Sequence, residues 1–134
     1  MFEWNAELSV GIGEVDIQHR KIIDKINDIM EVVESSGESE KIIEAIKFLG
    51  AYTENHFETE EKLMIASGFM GIKPHKIHHR KFVKKLDDII DSINAGRLDA
   101  SGVKASGQEI FSWFSQHITT ADRNFGNFLK SKMK

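Results

Sequence analysis

The stretch DIQHRKIIDKINDIMEVV, residues 16–33, is the strongest indication of the fold class. Its apolar residues recur at intervals of three and four, which is the spacing of one buried face on an α-helix and not the alternation of a strand. Together with one histidine they form a stripe of seven residues: His19, Ile22, Ile23, Ile26, Ile29, Met30 and Val33. The sequence therefore predicts a helix over about 16–35, with Asp16 as its N-terminal cap.

Three further stripes with the same spacing follow, separated by short segments that contain glycine, serine or the single proline, Pro74. They predict helices over three more ranges: about 39–66, 74–93 and 103–130. Residues 1–15 show no period, and we expect them to form an N-terminal arm whose Phe2 and Trp4 pack on the helices. Four amphipathic helices with short connections are typical of an all-α, antiparallel up-down-up-down four-helix bundle. We therefore expect residues 1–134 to form a single domain.

The composition argues against several classes of protein. The 134 residues carry 18 Lys and Arg against 21 Asp and Glu, a formal charge of −3, which disfavours nucleic-acid binding because phosphate affinity needs clustered cations. There are no cysteines, so disulfides, thiolate metal sites and thiol nucleophiles are excluded. The longest run without a charged residue, Ile110 to Ala121, is shorter than the ~20 residues that span a bilayer. The first residues show neither a basic start nor an apolar run, and we predict a cytoplasmic protein without a membrane span.

Five of the six histidines lie on or beside the apolar stripes, where a core would place Leu or Ile, and only His78 lies off them. One histidine on a buried face is usually a hydrogen-bonded core residue, but five of them indicate a shared purpose. Two pairs are spaced i, i+4: His56 with Glu60, and His75 with His79. The members of each pair lie on the same helical face, so each pair can bind one centre.

His117 and Asp122 are five residues apart, which on an ideal α-helix separates them by roughly 140°. Both can face one centre if the helix is locally widened, as in a π-bulge, or if they approach it from different angles. In an up-down-up-down bundle, the starts of the first and third helices meet the ends of the second and fourth. Seven residues then converge on one level: His19, His56, Glu60, His75, His79, His117 and Asp122.

These seven side chains predict a site for two metal ions. Burying two carboxylates and five imidazoles without a compensating cation is costly, and no Lys or Arg lies on the stripes at that level. Seven ligands exceed the four of a tetrahedral zinc ion, and carboxylates can bridge two ions. Imidazole with carboxylate suits iron, although the ligand types leave manganese, cobalt and zinc open. Five nitrogens against two oxygens supply little anionic charge for high-valent iron, which favours binding dioxygen over splitting it.

Two other metal-site patterns fit the sequence less well. The segment His75 to His79 has the H-x-x-x-H spacing of a zinc metalloprotease, but Lys76 stands where such an enzyme keeps its glutamate base. Carboxylate-rich di-iron bundles use Glu-x-x-His pairs, and no such pair lies on these stripes.

The residues around the candidate ligands resemble those of the hemerythrin family, specifically its bacterial members. The resemblance spans nearly the whole chain and rests on these segments: Trp4, Val10 to Ile12, Asp16 to His19, His56 to Glu61, His75 to His79, and Trp113 to Asp122. It implies a non-haem pair of iron ions, bridged by oxo or hydroxo, that binds dioxygen reversibly. Such a centre serves oxygen storage, delivery or buffering.

Carried over onto the matching positions, the resemblance also implies a role for each ligand. One iron would be held by His75, His79 and His117, the other by His19 and His56, and the two would be bridged by Glu60 and Asp122. The iron with two histidines would keep the open coordination position. An apolar oxygen pocket that keeps out water and anions would be lined by Trp113, Ile118, Phe57 and Ile23.

Two other functions are compatible with the same site chemistry. An oxygen or redox sensor would change a partner-facing loop, but no output domain or coiled-coil extension accompanies the predicted bundle. A di-iron enzyme acting on peroxide or nitric oxide would need a titratable group near the open position, and the stripes offer none. We therefore expect a carrier and not an enzyme, with dioxygen as its ligand and an oxygen-requiring enzyme as a candidate recipient.

Overall fold

The fold is seen in a computed structural model that describes residues 2–132, which contain five α-helices and no strand. The helices are α1 Gly13–Ser35, α2 Ser39–Ser67, α3 Ile72–Asn94, α4 Ala100–His117 and α5 Arg123–Lys132. A π-helical turn, Ile118–Asp122, joins α4 to α5, so that the two form one long rod. α1 packs against α2 and α4, and α3 packs against the same two helices, which confirms the predicted four-helix bundle. Within residues 2–132, no helix has an apolar stretch long enough to cross a bilayer.

The predicted stripes form the core of the bundle. Ile22, Ile26, Leu49 and Phe114 are 0% exposed, and they come from three different helices. Each large apolar side chain that is fully buried contributes about 1.5–3 kcal/mol to folding. Because the same stripes continue into histidines and carboxylates, packing of this core fixes the level at which those polar residues meet.

The arm before α1 packs on the bundle, as its sequence predicts. The Phe2 ring stacks on Phe111, with the ring centroids 4.1 Å apart. Its backbone forms two hydrogen bonds with the Asn27 side chain: the Phe2 N–H donates to Oδ1 at 3.0 Å, and Nδ2 donates to the Phe2 carbonyl at 2.8 Å. Trp4 lies against the core, and a short 3₁₀ helix, Ala6–Leu8, follows it. The arm is therefore an ordered part of the fold.

The prediction that Asp16 caps the first helix is wrong. α1 begins at Gly13, and the N-cap position is held by Ile12, whose side chain makes no capping hydrogen bond. The Asp16 carboxylate lies within the first turn and accepts hydrogen bonds from the Val10 N–H at 2.8 Å and the Ser9 hydroxyl at 2.6 Å. The preceding chain folds back over the helix start, so Asp16 binds the arm instead of capping the helix.

Two other helices also begin earlier than their stripes. α3 begins at Ile72, which leaves Pro74 in the first turn, where a missing N–H costs nothing. α4 begins at Ala100 because the Asp99 carboxylate accepts the Gly102 N–H at 2.8 Å and caps the first turn. The N-cap residues of these helices, Gly71 and Asp99, lie off the apolar stripes, which explains why the stripes alone place both starts late.

Candidate metal centre

The seven predicted residues lie together where the starts of α1 and α3 meet the ends of α2 and α4, and each is at most 4% exposed. Their ligand atoms form two overlapping groups, with all atoms of a group within 4.8 Å of one another. The first group is Glu60, His75, His79, His117 and Asp122, and the second is His19, His56, Glu60 and Asp122. We call these the three-histidine position and the two-histidine position. The two carboxylates belong to both.

Glu60 presents a different oxygen to each position. Its Oε1 lies 2.8 Å from His75 Nε2 and 3.3 Å from His79 Nε2. Its Oε2 lies 2.9 Å from His56 Nε2 and 3.7 Å from His19 Nε2. The side chain therefore lies between the two sets of imidazoles, which is the placement that a bridging carboxylate requires.

Asp122, at the end of the π-helical turn between α4 and α5, has the same arrangement as Glu60. Its Oδ1 lies 2.8 Å from His75 Nε2 and 3.1 Å from His117 Nε2, and its Oδ2 lies 3.1 Å from His19 Nε2. For metal ions whose bonds to imidazole are about 2.1 Å long, two ligands at right angles lie about 3 Å apart. The separations around both carboxylates thus match the spacing of neighbouring ligands on a metal ion.

The hydrogen bonding of the cluster provides an independent test of whether these residues suit a metal. Among residues 2–132, ten buried side-chain nitrogen and oxygen atoms lack a hydrogen-bond partner, and nine of them belong to this cluster. The nine atoms come from His19, His56, Glu60, His79, His117 and Asp122. Buried polar atoms are almost always hydrogen-bonded, because an unpaired one costs about 1–3 kcal/mol. Seven of the nine are Nε2 nitrogens or carboxylate oxygens that face one another, which is what metal ligands aimed at a common ion would present; the other two are the outer nitrogens of His19 and His117.

The π-helical turn brings Asp122 to the same side as His117. The sequence left two ways for residues five apart to share a centre, and the structure shows the widened helix. Bonding from i to i+5 places such residues one above the other. The widened turn is accompanied by two side-chain hydrogen bonds, in which the hydroxyls of Thr119 and Thr120 donate to the carbonyls of Ser115 and Gln116 at 2.9 and 2.7 Å.

Two residues that the stripes do not predict contact the outer nitrogens of the cluster. His79 Nδ1 lies 2.9 Å from Glu61 Oε2, and His56 Nδ1 is hydrogen-bonded to Gln18 Oε1. Both acceptors are oxygens, so each Nδ1 donates its proton to its partner, and Nε2 is the nitrogen that faces the centre. Gln18 and His56 are 38 residues apart, so only the packing of α1 on α2 reveals their contact. The one feature of the sequence that could have indicated them is that Gln18 and Glu61 are each adjacent to a cluster residue.

The charges of the cluster balance one another when no cation is present. Burial alone lowers the pKa of His19 and His75, but the nearby Asp122 and Glu60 outweigh burial and raise each pKa from 6.5 to about 9. Burial alone raises the pKa of both carboxyl groups. The surrounding imidazoles reverse this effect and hold the pKa of Glu60 and of Asp122 below its usual range. In the metal-free protein, protons on His19 and His75 therefore supply positive charge that metal ions would otherwise provide.

These pKa shifts predict how the stability of the metal-free protein depends on pH. His19 and His75 have a folded-state pKa above the unfolded value, so their contribution is complete below pH 6.5 and is lost as the pH rises through about 9. Glu60 and Asp122 have lowered pKa values, so their contribution is lost as the pH falls below about 4. We expect chelator-treated protein to unfold at a lower urea concentration at pH 9 than at pH 6.

Protein loaded with metal provides the control. Its imidazoles are already deprotonated, because protons and metal ions compete for the same lone pairs. Its urea midpoint should therefore lack this decline between pH 6 and 9, and it should instead lose metal on acidification. A metal-free protein with equal midpoints at pH 6 and 9 would contradict the charge balance described above.

The four residues predicted for an oxygen pocket lie in or against the core around the cluster. Ile118 is 0% exposed, Ile23 2% and Phe57 4%. Phe57 stacks on His79, with centroids 3.7 Å apart. Trp113 is half-buried and stacks on His117, with centroids 5.0 Å apart and the rings 10° from parallel. Two of the four thus contact imidazoles of the three-histidine position, and the pocket itself stays a prediction.

Comparison with known proteins agrees with this geometry. The family model described as hemerythrin HHE cation binding domain matches residues 10–129. A bacteriohemerythrin of Clostridium acetobutylicum is 29% identical over 131 residues, covering 93% of this chain and 98% of the relative. A myohemerythrin of Sipunculus nudus is 27% identical over 121 residues, covering 90% of this chain and 88% of the relative.

A solved structure titled as wild-type hemerythrin has a TM-score of 0.85 and 26% sequence identity to this chain. It covers 96% of this chain, and 98% of its own length is matched. The family match takes in all seven clustered residues, the helices that carry them and the π-helical turn. On this basis, the chain belongs to the hemerythrin family of HHE cation-binding domains.

Proposed function

We propose that this protein binds dioxygen reversibly at two non-haem iron ions. The observation that carries the proposal is that Glu60 and Asp122 each face both groups of imidazoles. In this arrangement the two carboxylates would be shared by both ions. His75, His79 and His117 would hold the ion in the three-histidine position, and His19 and His56 would hold the ion in the two-histidine position. With one imidazole fewer, the two-histidine position would leave room for the ligand.

The chain contributes binding, charge balance and exclusion of water. Five neutral imidazoles and two carboxylates give a donor set that suits ferrous and ferric iron. When bound, the iron ions supply the electrons for reversible dioxygen binding. The cluster is at most 4% exposed, so bulk water and anions reach it poorly. Trp113, Ile118, Phe57 and Ile23 would form the apolar wall that keeps them away.

The balance of donors favours a carrier over an oxidising enzyme. Two carboxylates provide less anionic charge than a carboxylate-rich site would, so the site would stabilise high-valent iron poorly, which favours binding dioxygen over splitting it. We propose that the protein stores, delivers or buffers oxygen and that its recipient is an enzyme that requires oxygen. The curated relatives are named bacteriohemerythrin and myohemerythrin, which supports this assignment.

Metal content and visible spectra test the proposal directly. We expect protein expressed with iron to hold two iron ions per chain, because two groups of ligands are present. We also expect exposure of the reduced protein to oxygen to produce an absorption band that disappears again when oxygen is removed. A single metal ion per chain, zinc that iron cannot replace, or a band that never reverses would each contradict the proposal.

A further inference from the structure

The outer nitrogens of two clustered imidazoles carry unlike partners, a carboxylate on one position and an amide on the other. His79, in the three-histidine position, is paired with Glu61. His56, in the two-histidine position, is paired with Gln18. Both imidazoles therefore have the same tautomer but differ in the charge placed behind them. This difference is independent of the number of histidines in each position.

Glu61 is held by contacts on both of its oxygens. Oε2 accepts from His79, and Oε1 lies 3.9 Å from the ammonium nitrogen of Lys76. The side chain is 24% exposed and borders a groove of about 400 Å³ between α2 and α3, whose lining includes Phe57. Its two oxygens therefore meet two different partners, the His79 ring and the Lys76 side chain. Lys76 occupies the position where a zinc metalloprotease has its glutamate base, and in this structure its ammonium group lies beside the Glu61 carboxylate.

A charged partner changes the donor strength of an imidazole. A carboxylate that accepts the outer N–H pulls the proton toward itself and makes the opposite nitrogen a stronger metal ligand. A neutral amide oxygen fixes the ring in the same way but adds less basicity. Removing the residue that accepts the outer N–H of a metal-binding histidine typically weakens metal binding by about 10–100-fold. The ion bound through His79 should therefore gain more from Glu61 than the ion bound through His56 gains from Gln18.

We propose that Glu61 is a positioning residue that makes the three-histidine position the tighter of the two, while Gln18 leaves the two-histidine position weaker, so that metal ions leave in a fixed order. The inference rests on the proposed function in one respect, because it assumes two metal ions. It adds a control of metal retention that the ligand set alone does not supply.

Release of Co²⁺ to an excess of chelator tests the order without dependence on oxygen. We load metal-free protein with two equivalents of Co²⁺ and follow its visible absorption as the ions leave. Two phases are expected, the fast one from the two-histidine position. Glu61→Gln should speed the slow phase about tenfold and leave the fast phase unchanged. Gln18→Glu should act in the opposite direction and slow the fast phase by a similar factor.

Glu58→Gln is the matched control. Glu58 lies three residues before Glu61 on α2 and borders the same groove, but its carboxylate is exposed and pairs with Lys62 at 3.1 Å. The same chemical change there should leave both phases unaltered. The urea midpoints of the metal-free variants show whether a change in release rate merely reflects a weakened fold. The opposite effect of Gln18→Glu is one that general destabilisation does not produce.

Three outcomes decide the matter. Selective acceleration of the slow phase in Glu61→Gln, together with a slower fast phase in Gln18→Glu, supports the inference. If two Co²⁺ ions bind but neither substitution changes a release rate, or each changes both rates equally, the inference is overturned and the proposed function is left intact. Uptake of a single Co²⁺ ion by the unmodified protein overturns the two-ion function and the inference with it.

Discussion

Replacing Glu60 with alanine is expected to abolish binding of both metal ions, the largest effect of any single substitution considered. Its two oxygens lie against imidazoles of both positions, so the change would remove one proposed ligand from each ion at once. It also leaves a cluster of buried imidazoles with one carboxylate fewer to balance an incoming cation. We expect iron analysis after anaerobic loading and desalting to give two ions per chain for the unmodified protein and close to none for Glu60→Ala.

Three further variants make this result interpretable. His79→Ala removes a ligand from the three-histidine position alone, so the protein should keep the other ion. His78→Ala changes an exposed residue off the stripes and should keep both. Glu60→Gln keeps the volume of the side chain and guards against simple failure to fold. A folded Glu60→Gln protein that still binds two ions tightly would show that the carboxylate does not bridge them.

Six of the seven clustered residues could be predicted from the sequence because each of them lies on an apolar stripe, where a core would place Leu or Ile; Asp122 is the exception. A histidine or carboxylate on the buried face of an amphipathic helix is costly unless something compensates it. The helical period then shows that the side chain faces the core, and the alternating directions of the helices show at which end of the bundle it lies. His19 and Glu60 are 41 residues apart in the chain, yet these two rules are enough to place both at one end of the bundle.

Other features depend on contacts that no local pattern records. Gln18 and Glu61 flank the stripes, and each meets its histidine only because neighbouring helices pack at a particular rotation. Asp16 has the position and chemistry of a helix cap, but the arm provides a competing set of donors. For Asp122, spacing alone shows that something unusual is needed to face the centre, and the π-helical turn is one of two solutions. Long-range packing selects between such alternatives.

Replacing Trp113 with alanine is expected to shorten the lifetime of the oxygenated protein by about tenfold, which corresponds to about 1.4 kcal/mol. The indole stacks on His117, and both residues border a groove of about 180 Å³. Truncation would enlarge this groove and let water approach the buried cluster from this side. Loss of oxygen in a reduced, charged form needs solvation, which an apolar wall withholds. The decay of the visible oxygenated band in air measures the effect.

A purely structural role for Trp113 makes a different prediction. The indole also packs on Phe82, with ring centroids 5.0 Å apart, so its loss lowers the melting temperature in either case. Because Trp113 is half-buried, the cost should be smaller than the ~3–5 kcal/mol of a fully buried tryptophan. Trp4→Ala is the control, since Trp4 is also half-buried and lies in the arm, against the core. If both variants have a lower melting temperature and the oxygenated band decays no faster in either, the role of Trp113 is only to pack the fold. If Trp113→Ala alone decays faster, and Trp113→Phe restores most of the lifetime through its own ring, the residue guards the oxygenated state.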